Sequence, residues 1–205
     1  MAPMRKTASE SPARIKPRQL ELSFHAATRK DLVPFLENYL MAAHALLGPA
    51  LAELSVALVG DARMSKLHKQ FMDVEGPTDV LTFPMDFDVR GRPVAGDVVV
   101  CVPEAARQAR IRGTKLEREV LLYALHGMLH LSGFDDRTDS AYRRMHRKED
   151  QLLISLGLGP VFKAAVSASA KPGQRETVAR ASSRKPVKPA APKRRRGSAN
   201  ESVGV

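Results

Sequence analysis

The sequence predicts an α+β fold: a mixed β-sheet packed with helices around one central helix that carries two histidines. Three observations point there. Short runs with every second residue apolar, the period of a half-buried strand, interleave with longer runs at helical spacing. One helical run, Val120 to Leu131, is apolar nearly all round and so belongs in the interior. That run contains His126 and His130, four residues apart, just ahead of Gly133.

Taken in order, Leu20, Leu22 and Phe24 alternate with Glu21, Ser23 and His25, as in a strand with one covered face. From about 31 to 48, Leu32, Phe35, Leu36, Tyr39, Leu40 and Leu47 recur at helical spacing and stop at Gly48-Pro49. Pro34 is tolerated because it falls in the first turn, where its missing N–H has no helical acceptor. Leu54, Val56 and Leu58 mark a second strand. Asp61 is read as the N-cap of a short helix to about Met72. After the turn at Gly76-Pro77, Val80 to Phe83 forms a strand that Pro84 is expected to stop. Gly91-Arg92-Pro93 turns the chain into a strand over about 96–102, and a helix follows from Pro103-Glu104 to Arg112, ended by Gly113. Thr114, with Glu117 three residues on, reads as a capping box opening the central helix. A last helix over about 138–156 ends at Gly157.

The composition suits a single domain with basic ends. Of 205 residues, 43% are hydrophobic but only 5% aromatic, with no Trp, so the core rests on Leu, Val, Ala and Met. The net charge of +11 is not spread evenly. Residues 164–205 hold 10 of the 33 Lys/Arg and two of the 22 acids, and residues 1–17 hold four and one; the 18–163 stretch is left with 19 of each. Residues 1–17 and 164–205 are therefore expected to be disordered basic ends flanking a domain over 18–163. Such ends attract polyanions without reading sequence. One cysteine, Cys101, in the run Val98-Val99-Val100-Cys101-Val102, excludes an internal disulfide and reads as a small buried hydrophobe in a reducing compartment. No stretch of about 20 apolar residues suggests a membrane span, and the N-terminus lacks the apolar core of a secretory signal. A cytoplasmic protein with no membrane partner is expected.

The chemistry is concentrated in His126-Gly127-Met128-Leu129-His130-Leu131-Ser132-Gly133-Phe134-Asp135-Asp136. Histidines four apart project from one helix face and can share a zinc ion. Gly133 permits the positive-φ turn that brings a following carboxylate back to them: Asp136, with Asp135 as the lesser alternative. The spacing matches the metzincin zinc motif HExxHxxGxxH in register, except that Gly127 stands where zinc peptidases keep their general-base Glu. Hydrolysis other than standard peptide cleavage is therefore expected. Asp79 and His68 are the candidate proton-handling or supporting groups. His25, His44 and His146 read as solvated, and Phe83, Phe87 and Phe134 as core rather than base-stacking residues.

These residues carry a resemblance. Pro77-Thr78-Asp79-Val80-Leu81-Thr82-Phe83-Pro84 resembles PTDVLSFP, and the His126–Asp136 block is similar to HGxLHLxGYDH, both motifs of the YbeY-type rRNA-maturation endoribonucleases. Gly96-Asp97-Val98 and Met145…Glu149 fall where that family has GDI and MxxxE, and the likeness covers about residues 20–157. It implies a zinc-dependent, single-strand-specific endoribonuclease with one zinc per chain. The implied work is 16S rRNA 3′-end maturation and ribosome quality control, with the small ribosomal subunit as partner and no small-molecule cofactor. Two departures stand out. The family's third ligand is His where this chain has Asp136, and its LNxxYRxxxxPTDV pattern has Asn and Arg where this chain has His68 and Met72. Lys69, Arg90 and Arg92 are the cations available in place of that Arg. The alternative is a ribosome-associated rRNA-binding factor with weak or lost catalysis.

Overall fold

The computed structural model describes residues 20–162. The expected disordered ends, 1–17 and 164–205, lie outside the described residues. Strands β1 (Glu21–Ala26), β2 (Glu53–Val59), β3 (Val80–Phe87) and β4 (Pro93–Cys101) alternate with helices α1 (Val33–Leu47), α2 (Asp61–Met72), α3 (Val102–Arg112), α4 (Leu116–Leu131) and α5 (Asp139–Ser155). A single 3-10 turn, Lys30–Leu32, leads into α1. The sheet order is β1-β2-β4-β3. β1 and β4 both run parallel to β2, and β3 pairs antiparallel with β4, so the sheet is mixed as expected.

β4 explains the depth of the fold. Val98 and Val100 face the main core with α1 and α4, whereas Val99 and Cys101 face a second cluster built on Val59, Met64 and Leu81. An apolar run with no polar alternation is what a strand covered on both faces requires. α2 supplies the second cover through Met64 and Leu67. α4 lies on the other face against β3 and β4, flanked by α1, α3 and α5. Val120, Leu121, Leu125, Met128 and Leu129 of α4 are fully buried, each worth about 2 kcal/mol in water-excluded area. Among the described residues, no helix is long and apolar enough to cross a membrane.

Three local expectations change. Asp61 begins α2 rather than capping it; the N-cap is Gly60. The Asp61 carboxylate is instead drawn across to Arg107 on α3, at 2.8 and 3.0 Å, and takes the Cys101 thiol at 3.3 Å. Pro84 does not stop β3, because β3 is an edge strand and a residue with no N–H breaks no ladder bond on the open side. The ladder passes from Pro84↔Gly96 to Asp86↔Ala95, leaving Met85 as the extra residue of a bulge. Finally, Thr114 caps nothing: the N-cap of α4 is Lys115 with no side-chain cap. Thr114 donates its hydroxyl to the buried Glu119 at 2.8 Å, alongside Arg112 at 2.8 Å. A buried carboxylate in need of donors outcompetes a solvent-facing cap.

Candidate metal centre

The end of α4 builds the site. Gly133 takes φ 89, which an L side chain rarely adopts. Its N–H donates to the His130 carbonyl and that of Phe134 to the Leu129 carbonyl, both at 3.0 Å. This double bond pattern is a Schellman stop, completed by Phe134 packing against Leu129. The reversal turns the following loop back over the helix face. Asp135 is consumed inside that loop, accepting from the N–H groups of Asp136 and Arg137 and pairing with the Arg137 guanidinium. Asp136 is delivered to the histidines: ligand atoms of His126, His130 and Asp136 all lie within 4.8 Å of one another, so the group could hold a metal.

Hydrogen bonding decides what the histidines offer. Nδ1 of His126 lies 2.7 Å from Oε1 of Glu149 on α5, a carboxylate that is 1% exposed. Nδ1 of His130 lies 3.1 Å from the Phe134 carbonyl. Both partners accept only, so each Nδ1 carries the hydrogen and each Nε2 is left with a lone pair. The two Nε2 atoms face each other at 3.0 Å. Two lone pairs that close are repulsive unless something positive sits with them. Atoms bound tetrahedrally to one zinc stand roughly 3.3 Å apart, given Zn–N bonds of about 2.0–2.1 Å, so the residues present fit such an ion.

The electrostatics agree. Burial works against an imidazolium at His126, but the bond to Glu149 and the charges of Glu149, Asp79 and Asp136 outweigh it, and the affinity for a proton is raised. At His130 burial, joined by the positive charge favoured on His126, lowers it. The pair therefore welcomes one positive charge and rejects a second. Burial also opposes the Glu149 carboxylate, yet its bonds to His126 and His146 hold its pKa down at about 2.

Gly127 is explained by close approach. A Cβ there would meet both methyls of Val98 at 2.7 Å and Oγ1 of Thr82 at 3.0 Å. The position that holds Glu in zinc peptidases is here pressed against the sheet, with no room for a side chain.

The remaining candidates are placed as follows. Asp79 immediately precedes β3, its Oδ1 taking the Val80 N–H at 2.8 Å and the Thr78 hydroxyl at 3.0 Å. Its charge is felt at His126 and Tyr123 on α4. His68 is buried on α2 and bonds the Gly76 carbonyl through Nδ1 at 2.9 Å, pinning the loop that leads to Asp79. Met72 packs half-buried against the α2-side cluster. Lys69 is paired with Asp73 and Glu75, and Arg92 with Asp88. Two histidines read as solvated are not: His44 is buried on the Leu51 carbonyl, and His146 bonds Glu149. Phe87, expected in the core, is exposed beyond the bulge. Glu149 is the supporting residue that spacing alone could not reveal; its signal was only the place it shares with the MxxxE pattern.

Comparison with known proteins places the sequence in a family. The sequence pattern described as Endoribonuclease YbeY matches residues 16–157. Among similar proteins, the endoribonuclease YbeY of Beutenbergia cavernae is 45% identical over 115 residues, covering 53% of this chain and 77% of that one. That of Acidothermus cellulolyticus is 43% identical over 116 residues, covering 51% and 71%. A solution structure from Thermotoga maritima aligns at 23% identity with a TM-score of 0.48, over 76% of this chain and 99% of that one. With the family pattern spanning most of the sequence, this chain belongs to the endoribonuclease YbeY family.

Proposed function

We propose that this chain is a zinc-dependent endoribonuclease that cuts single-stranded RNA, with His126, His130 and Asp136 holding the ion. The observation that carries this is the pair of Nε2 atoms facing each other at 3.0 Å beside a carboxylate. Nitrogen and oxygen donors of this kind suit zinc, and three protein ligands are the complement of a catalytic rather than a structural site. Zinc bound there supplies a Lewis acid for a phosphoryl oxygen and a water with its pKa brought to about 7. Glu149 orients His126. Asp79, with Oδ1 already engaged and its charge reaching α4, is assigned proton handling at the substrate. His68 keeps Asp79 in place through the Gly76 loop. The family resemblance extends the reading to the 16S rRNA 3′ end on the small ribosomal subunit and to ribosome quality control, in the cytoplasm and without a small-molecule cofactor.

Metal analysis and cleavage of single-stranded rRNA fragments test the proposal together. Wild-type protein is expected to carry one zinc per chain and to cut. His130→Ala and Asp136→Ala are expected to lose the metal and fall to background. Equal cleavage by wild type and His130→Ala removes the zinc mechanism. One observation favours a second reading: Met72 presents a packed thioether where the family has Arg, and Lys69 and Arg92 are in ion pairs of their own. Metal retained with RNA bound but uncut identifies the ribosome-associated rRNA-binding factor instead.

A further inference from the structure

We propose that His146 is a positioning residue of the metal centre: its Nδ1–H holds the second oxygen of Glu149, and through that carboxylate it fixes the ring of His126. The inference rests on the metal-binding reading above and deepens it. Glu149 is 1% exposed, so each of its oxygens needs a donor from the protein. His126 serves Oε1 and His146 serves Oε2, the latter at 2.5 Å. Without the second bond, Oε2 becomes a buried orphan and the carboxylate is free to turn away from His126. The ring of His126 then loses the partner that keeps hydrogen on Nδ1 and aims Nε2 at His130. Outer partners of metal ligands act in this way.

His146 is itself locked. The ring of Tyr142 stands perpendicular to it at a centroid distance of 3.9 Å, and Phe162 stacks on it at 3.8 Å and 28°. Phe162 is held in turn, because Asp150 accepts the N–H groups of Val161 and Phe162 at 2.7 and 3.0 Å. Arg118 donates to the carbonyls of Gly159 and Pro160, both at 3.0 Å. Nε2 of His146 is buried with no hydrogen-bond partner among the described residues. A Phe at 146 would fill the same slot between Tyr142 and Phe162 and strand no nitrogen. The bond to Glu149 is what sets His apart from it.

The test is zinc affinity, measured with Zn2+ alone in competition with a chromophoric chelator, on the full chain. His146→Phe keeps the stacked ring and removes the donor. His146→Asn places an amide where Nδ1 stood, and His146→Gln places one where Nε2 stood. His146→Phe and His146→Gln are expected to weaken zinc binding about 10- to 100-fold, with His146→Asn within a few-fold of wild type. On a Glu149→Gln background, His146→Phe is expected to add nothing. Wild-type affinity in His146→Phe overturns the inference, as does a full additive loss on Glu149→Gln. If His146→Phe fails to fold, the two amide variants decide: Gln binding as tightly as Asn overturns it. Wild-type protein that takes up no zinc brings down the metal reading itself, a result distinct from these.

Discussion

At position 127 a hydrogen stands where any larger group would meet both methyls of Val98 at 2.7 Å. Val98 is fully buried on β4, between β2 and β3, and a β-branched side chain has little rotamer freedom to yield. Gly127→Ala would gain about 1 kcal/mol in helix propensity and lose about 1–3 kcal/mol to overpacking. A net loss is expected, read as a lower urea midpoint. On a Val98→Ala background the same substitution is expected to cost less, and a rise in the midpoint of the single variant would show that α4 has room to move. The grouping of His126, His130 and Asp136 was legible at this scale because their spacing and the turn glycine are local. Glu149 and His146 were not: Glu149 meets His126 across a helix–helix contact, 23 residues away, and His146, three residues from Glu149 on α5, shows its role only once that carboxylate is known to be buried. A histidine on an amphipathic helix looks the same whether it faces water or a buried carboxylate.

Elements were legible wherever periodicity set them, and misread where a polar side chain had two possible jobs. Asp61 and Thr114 both satisfy the rules for an N-cap, and both are used instead to join helices, Asp61 to Arg107 and Thr114 to Glu119. Neither outcome can be read without knowing that α3 lies beside α2 and α4. The second junction makes the firmer prediction, because Glu119 is fully buried. Glu119→Ala strands the Thr114 hydroxyl and leaves Arg112, whose side chain is 32% exposed, to find water. The expected cost is about 2–3 kcal/mol, below that of a fully enclosed pair because Arg112 can resolvate. Glu119→Gln, which keeps an acceptor, should cost less. Denaturant unfolding of the two variants checks the order, and equal midpoints would mean the α3–α4 corner does not depend on this carboxylate. Pro84 was misread for a related reason, since whether proline ends a strand depends on which edge is open, and edge position belongs to the sheet rather than to the strand.

On the scale of the whole molecule, the charge is divided from the chemistry. The 18–163 stretch is balanced at 19 acidic and 19 basic residues, while residues 164–205 alone carry a net +8 of the total +11. The candidate metal centre and the residues around it, from Asp79 to Phe162, lie within the balanced part. Removing 164–205 therefore takes away most of the attraction for a polyanion and none of the residues that build the site. The truncated chain is expected to bind single-stranded RNA more weakly at low salt. Its plot of log affinity against log salt should be shallower by about 0.7 for each phosphate contact the tail made. Its unfolding midpoint and zinc content are expected to stay those of the full chain, because among the described residues every buried apolar side chain precedes the cut. Saturating RNA should restore cleavage to the full-length rate, so the change belongs in KM and not in kcat. Identical salt slopes for the two chains would mean that RNA is held by residues 18–163 alone, through the local placement of cations rather than by net charge.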